Sequence, residues 1–145
     1  FSVDATKCIS YLTIEHRSTI DEVLHEPIGN WLFGCDICQE VCPHNQHTQS
    51  SSNAIPNSDY QSNRTSFNIL DVLNWTEEDR RHALMGSAMK RAKLYMFKRN
   101  ALIIAGNMLR ANADDALLDV LRTISQDESE DLVVRDTAKS VLKRI

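Results

Sequence analysis

Residues 34–43 read Gly-Cys-Asp-Ile-Cys-Gln-Glu-Val-Cys-Pro, so three cysteines follow the spacing CxxCxxxCP. A CxxC turn directs two thiolates toward the same centre, and the proline after the last cysteine turns the chain away. Cysteine runs that end in this spacing hold [4Fe-4S] clusters. The stretch therefore predicts iron-sulfur ligation by Cys35, Cys38 and Cys42.

A fourth cysteine, Cys8, lies near the start of the sequence. Bacterial-type ferredoxin motifs run CxxCxxCxxxCP, and only the last three of those cysteines occur together here. Cys8 then takes the place of the displaced first ligand. In two-cluster proteins the cysteine before the proline ligates the other cluster, and that cysteine is Cys42 here. We therefore predict four metal ligands on a ferredoxin-like segment.

Other uses of the cysteines stay open at this point. A CxxC pair with two further thiolates can form one closed tetrahedral zinc site, and inert buried cysteines are a third interpretation. His44 and His47 follow closely and could join a Cys/His site. Both lie at the edge of a polar stretch, so we expect them to face solvent.

The composition excludes several classes of protein. With 145 residues, 42% of them hydrophobic and 25% charged, the sequence is typical of a soluble globular protein that can bury a core. No apolar run approaches the roughly 20 residues of a membrane helix, and no signal segment points to export. All four cysteines lie in the first 42 residues, which is unlike a disulfide scaffold. Only four Gly and three Pro favour helices over a turn-rich fold.

Composition divides the chain into three parts. Residues 1–45 carry the cysteines, and residues 46–66 are so polar that they are predicted to be a loop or linker. Residues 67–145 read as amphipathic helices, one of which is predicted to begin at Thr76, where three acids follow a good N-cap. The predicted fold is mainly α, with the ferredoxin-like segment followed by a HEAT-like helical repeat domain. An ordinary helical bundle would give the same pattern.

Apolar spacing of three and four residues predicts three helices in the last part. The inward residues of the first are Leu94, Phe97, Ala101, Ile104 or Ala105, and Met108. The second is predicted to begin at Asp114 or Asp115, with an inward face of Leu117, Leu118, Leu121 and Ile124. The third is predicted to begin near Glu130, with an inward face of Leu132, Val134, Ala138, Val141, Leu142 and Ile145.

Charge is distributed unevenly, although the formal net charge is only -4. Between Arg80 and Arg110 there are eight basic residues and no Asp or Glu, whereas acids dominate residues 114–136. A basic run of this kind predicts a surface for a polyanion such as RNA. The alternative is an ordinary solvated helix face.

Two long strings resemble one known family. Residues 4–15 read Asp-Ala-Thr-Lys-Cys-Ile-Ser-Tyr-Leu-Thr-Ile-Glu, and residues 28–33 lead into the cysteine stretch as Ile-Gly-Asn-Trp-Leu-Phe. Both closely resemble the second iron-sulfur segment of epoxyqueuosine reductases. Residues 86–91, 99–101 and 105–107 resemble the helical C-terminal part of that family. The resemblance covers nearly the whole chain except residues 46–66.

The resemblance implies an oxidoreductase of tRNA modification. The family reduces epoxyqueuosine to queuosine at the wobble position of certain tRNAs, using cobalamin and two [4Fe-4S] clusters. Because the sequence opens on Phe1 and lacks the family's first cysteine motif, we expect it to be the C-terminal half of the enzyme. The catalytic Asp and most of the cobalamin pocket then lie in the N-terminal half. No catalytic residue is expected in this chain, which should be inactive alone.

The family's site residues transfer to matching positions. By this resemblance Cys8, Cys35 and Cys38 are three ligands of one cluster, whose fourth ligand is expected to be the last cysteine of the family's first motif, and Cys42 reaches the other cluster. Ser10 and Asp36, beside cluster ligands, are candidates for cobalamin contacts. One departure is His44, where the family more usually has Trp. Another is the long polar insertion that follows it.

The expected partners are a tRNA anticodon arm and an external electron donor, and the protein is expected to be a cytoplasmic monomer. Glu15, His16 and Arg17 end the matching Cys8 segment and are candidates to face RNA. The full set of predicted tRNA-binding residues is Arg17, Lys90, Arg91, Lys93, Lys98 and Arg99. Two alternative functions are a zinc-stabilised helical adaptor for RNA or protein, and an electron-transfer module like that of reductive dehalogenases.

Overall fold

The computed structural model describes residues 4–45 and 66–145, and within these ranges every regular element is helical. The α-helices that lie wholly within these ranges are α1 (Ile9–Ile14), α2 (His25–Ile28), α3 (Ile37–Glu40), α4 (Ile69–Asn74), α5 (Glu77–Ala83), α6 (Leu94–Ala111), α7 (Asp115–Gln126) and α8 (Leu132–Leu142). Short 3-10 turns lie at Ala5–Lys7, Glu22–Leu24 and Ala88–Arg91. The predicted mainly α fold is confirmed for this part of the chain. None of these helices is long and apolar enough to span a membrane.

Polar side chains set the helix starts where the sequence predicts them. Thr76 accepts from the backbone N–H of Asp79, and the Asp79 carboxylate accepts from the N–H of Thr76, which makes a reciprocal capping box. Asp114 caps α7 by accepting from the N–H of Leu117. Asp131 caps α8 in the same way through Val133, one residue after the predicted start. These N-caps satisfy backbone donors that have no partner inside a helix.

Helix α6 forms the centre of the core and packs against α1, α2, α4, α7 and α8. The predicted inward residues Phe97, Ala101, Ile104 and Ala105 are all buried. The predicted apolar stripe is only part of the buried surface of α6, however, because Leu102 and Ile103 are buried on its other faces. A helix with neighbours on most sides needs apolar residues nearly all round.

The prediction of an inward position is wrong for three residues, whose side chains are exposed. Met108, in the last turn of α6, is 45% exposed, and Ile145, beyond the end of α8, is 44% exposed. Leu132 is 60% exposed because the inward face of α8 is set by Val134 and Ala138, and a residue two positions from Val134 lies about 200° away around a helix. The other predicted inward residues of α6 and α7 are buried or half-buried.

Helices α6 and α8 approach closely at Gly106. A Cβ atom added at this position would lie 2.5 Å from Cγ1 of Val141, although it would be 3.6 Å from the Val141 Cβ. The valine methyl groups therefore occupy the space that any larger residue at 106 would need. Glycine at this point is a packing requirement of the α6–α8 contact.

Gly106→Ala should destabilise the protein by about 1–3 kcal/mol, because the added methyl group overpacks a fully buried contact. The free energy of unfolding in urea measures the effect. In a Val141→Ala background the clash is removed, so the same Gly106 substitution should cost much less. Equal costs in both backgrounds would contradict the proposed steric cause.

The described residues form two compact units. Residues 4–34 pack with residues 68–145, and residues 35–45 belong with 66–67 to a second unit. This division by packing differs from the predicted boundary after residue 45, because Leu12, Thr13 and Leu32 are hydrogen-bonded to α6. The assignment of 1–45 as one cluster-binding domain stays a prediction. The predicted linker, 46–66, lies outside the described residues apart from residue 66.

Candidate functional site

Cys8 lies in the first unit, immediately before α1. It occupies the N-cap position without a side-chain capping bond, and the N–H of Leu12 donates to its carbonyl oxygen at 2.9 Å. Its thiol is exposed and free. Ser10, the first candidate for a cobalamin contact, is half-buried in the first turn of the same helix.

The other three cysteines surround the single helical turn α3 in the second unit. Cys35 precedes the turn and Cys42 follows it, both half-buried, while Cys38 lies within it and is exposed. Local backbone bonds hold the turn, since the N–H groups of Gln39 and Glu40 donate to the carbonyl of Asp36. The Asp36 side chain is exposed and makes no capping bond.

The donor set fits the chemistry of an iron-sulfur cluster, because all four cysteines are free and soft thiolates are the ligands that iron-sulfur clusters take. In residues 4–45 and 66–145, however, no group of three or more His, Cys, Asp or Glu side chains is placed to hold a metal ion. The division of the cysteines between two clusters therefore stays a prediction. His44 is exposed, as expected, and His47 lies outside the described residues.

Four of the six predicted RNA-binding residues have exposed side chains: Arg17, Lys90, Arg91 and Lys93. Arg91 forms an ion pair with Glu15, and both partners are substantially exposed. Arg17 donates from Nη1 to the Met96 sulfur at 3.5 Å. The 3-10 turn Ala88–Arg91 is capped by Ser87 and presents Lys90 and Arg91 together. These four residues are called the exposed basic set below.

Lys98 does not belong to that set, which corrects the sequence prediction. Its Nζ lies 2.6 Å from a carboxylate oxygen of Glu130, and its side chain is only 12% exposed. The partner comes from the acidic stretch that follows the basic run. Lys98 is therefore already neutralised and largely covered by the protein itself.

The prediction for Arg99 is also wrong, because this side chain is completely buried. Its guanidinium donates five hydrogen bonds: Nε and Nη2 to Oδ1 of Asn100, Nη1 to the carbonyls of His16 and Ser18, and Nη2 to the carbonyl of Leu12. All five N–H donors of the fork are thus used inside the protein. Burial lowers the pKa of Arg99 to about 10, so it remains charged at neutral pH.

Sequence reasoning missed the role of Asn100, which is buried beside Arg99. Its Nδ2 donates to the carbonyls of Thr13 and Leu32, each at 2.9 Å. The sequence does contain one signal of a buried role. Arg99 and Asn100 directly precede the apolar run Ala101–Ile104 in α6, the most deeply buried helix. Buried polar side chains in such a place must have partners, and here the partners are distant backbone carbonyls.

Comparison with known proteins finds a match to a protein-family model and matches to curated relatives. Residues 1–45 match the family model described as "4Fe-4S double cluster binding domain". No solved structure gives a significant match.

Several curated relatives carry the name epoxyqueuosine reductase. The protein of Burkholderia pseudomallei is 33% identical over 99% of this chain and 36% of its own length. That of Salmonella typhimurium is 36% identical over 78% of this chain and 29% of its own length. That of Leadbetterella byssophila is 40% identical over 72% of this chain and 33% of its own length.

The present chain spans about a third of the length of these relatives. The alignment to the Burkholderia pseudomallei relative, at 33% identity, covers 99% of the chain. It therefore includes both the cysteine segment and the C-terminal helices. The family predicted from residues 4–15 and 28–43 is thereby confirmed. The chain belongs to the epoxyqueuosine reductase family.

Proposed function

We propose that this chain is part of an enzyme that reduces epoxyqueuosine to queuosine at the wobble position of tRNA. The observation that carries the proposal is the match of nearly the whole chain to relatives named for that reduction, together with the cysteine spacing inside the 4Fe-4S match. Because the chain spans about a third of those relatives, the activity would belong to the whole protein.

In this proposal the cysteines supply the ligands of an electron-transfer path. Cys8, Cys35 and Cys38 would supply three ligands of one [4Fe-4S] cluster, whose fourth ligand would come from outside this chain. Cys42 would complete a second cluster, whose other ligands would also come from outside this chain. Cobalamin would supply the metal-centred reduction chemistry, and Ser10 and Asp36 are its candidate contacts. An external donor would provide the electrons, and the protein would act as a cytoplasmic monomer.

The helices would serve as a scaffold that presents the cysteine segments and binds RNA. We propose a HEAT-like arrangement for α6, α7 and α8, which follow one another through short connections. Helix α8 packs against both α6 and α7. The exposed basic set, Arg17, Lys90, Arg91 and Lys93, would bind phosphates of the anticodon arm. Contacts of that kind position the RNA without reading its sequence.

A chimera tests the proposal directly. This chain would replace the matching segment of the Burkholderia pseudomallei relative. The purified chimera would be reconstituted without oxygen with iron, sulfide and cobalamin, and a chemical reductant would supply the electrons. We expect a brown protein that converts epoxyqueuosine to queuosine in tRNA. Uptake of one zinc per chain with no iron would overturn the proposal in favour of a zinc-stabilised adaptor.

Replacing Lys90 and Lys93 together with Ala should weaken tRNA binding about equally for every sequence. The slope of log affinity against log salt should fall by roughly 0.7 to 0.9 for each lost phosphate contact. Binding to an anticodon stem-loop at several salt concentrations measures both quantities. Lys139→Ala is the matched control, because Lys139 is an exposed helical lysine outside the exposed basic set. If both proteins keep the same affinity and slope, the basic run is an ordinary solvated face.

A further inference from the structure

The C-terminal end of α1 is held by side chains of α6. This helix has only six residues, Ile9–Ile14, so its last carbonyls have no partner within it. Nη2 of Arg99 donates to the carbonyl of Leu12 at 2.6 Å, and Nδ2 of Asn100 donates to that of Thr13 at 2.9 Å. The last turn of the helix that begins directly after Cys8 is therefore hydrogen-bonded to two side chains of α6.

The same asparagine holds a second segment, the one that leads to the cysteine stretch. Nδ2 of Asn100 also donates to the carbonyl of Leu32, which lies three residues before Cys35. Next to it, the N–H of Gly34 donates to the hydroxyl of the buried Thr13 at 3.0 Å. One amide group thus links the end of α1 to the backbone just before Cys35.

Arg99 fixes the orientation of that amide. Two of its N–H groups donate to Oδ1 of Asn100, at 3.1 and 2.9 Å, so the Nδ2 group must face the two carbonyls. Its remaining donors hold the loop after α1 through the carbonyls of His16 and Ser18. Because the donors and acceptors interlock, the two side chains act as one unit.

We infer that the buried Arg99–Asn100 pair positions two segments, the one that follows Cys8 and the one that leads to Cys35. These are called the cysteine-bearing segments below. The pair fixes the end of the helix that starts at Cys8 and the backbone from which the chain continues to Cys35. The role rests on the proposed function only in that these cysteines are taken as cluster ligands. Neither residue touches a cluster in this scheme; each acts through the backbone that carries the ligands.

Asn100→Asp is the sharpest test, because Asp has the size of Asn and still accepts from Arg99. It loses both Nδ2 donors, however, and turns a carboxylate oxygen toward the carbonyls of Thr13 and Leu32. The matched control is Asn107→Asp on the same helix, since Asn107 donates to the carbonyls of His25 and Gly29, at 2.8 and 3.1 Å. Both variants lose two donors to backbone, but only one loses them at the cysteine-bearing segments.

The full-length protein would be reconstituted anaerobically with iron and sulfide. For Asn100→Asp we expect at least a twofold loss of iron and labile sulfide per chain, or an altered electron paramagnetic resonance spectrum after reduction. Asn107→Asp should keep the wild-type values of both. Thermal unfolding of the two variants measures how far each is destabilised in general. In the metal-free protein, amide hydrogen exchange at residues 12–18 and 32–34 should accelerate for Asn100→Asp alone.

The outcomes separate this inference from the proposed function. A wild-type protein that takes up no iron overturns the proposed function, and the inference with it. A wild-type protein that binds clusters, beside an Asn100→Asp variant with unchanged iron, spectrum and amide exchange, overturns only the inference. Equal loss of iron in both variants would also overturn it, because the effect would then reflect general destabilisation.

Discussion

Cys38→Ala, and separately Cys35→Ala, should abolish the proposed reduction of epoxyqueuosine by the chimera that carries this chain, while leaving tRNA binding largely unchanged. In the proposed electron-transfer path each substitution removes one thiolate ligand of a cluster, so electrons would no longer reach the reacting centre. The expected loss of activity is complete rather than graded. Product formation in tRNA, iron content and stem-loop binding should be measured on the same preparations.

Glu40→Ala is the matched control for these variants, because Glu40 lies in the same helical turn and its side chain is exposed. It should retain both iron and activity. Full activity in Cys35→Ala and Cys38→Ala would show that the two cysteines are bystanders. Loss of RNA binding in step with activity would instead indicate that the whole segment has unfolded.

The elements that could be predicted from sequence are those whose causes are local. Thr76 with Asp79 and Asp114 with the N–H of Leu117 are caps formed within three residues, so the helix starts follow from the sequence alone. Burial on several sides of α6 is a different case, because it depends on which other helices surround it. A stripe of apolar residues identifies one face, and it cannot reveal that Leu102 and Ile103 are also covered.

The same distinction applies to the candidate site. The spacing of Cys35, Cys38 and Cys42 is a local pattern that indicates soft-metal ligation. The function of Arg99 depends on carbonyls 81 to 87 positions away in the sequence. A run of basic residues shows how charge is distributed along the chain, but not which side chains reach solvent. The sequence therefore assigns Arg99 and Lys98 to the predicted RNA-binding surface together with their exposed neighbours.

Arg99→Met should destabilise the protein by roughly 3–5 kcal/mol, because it leaves several buried acceptors without a donor and each of them costs about 1–3 kcal/mol. Methionine has a similar length and no donors, so the carbonyls of Leu12, His16 and Ser18 lose their bonds inside the protein. Unfolding in urea at neutral pH measures the loss. Arg99→Lys should recover little of it, because an ammonium group cannot reproduce the planar fork that serves four acceptors.

Arg110→Met on the same helix is the control, since Arg110 is 44% exposed and its ion pair with Glu26 lies at the surface. Exposed pairs of this kind contribute about 0–1 kcal/mol. The two substitutions remove the same side chain from one helix, and they differ only in burial and in the number of bonds lost. A cost for Arg99→Met no larger than that for Arg110→Met would mean that the backbone between Leu12 and Ser18 is stable without the guanidinium. In that case Asn100 alone would have to hold the cysteine-bearing segments on α6.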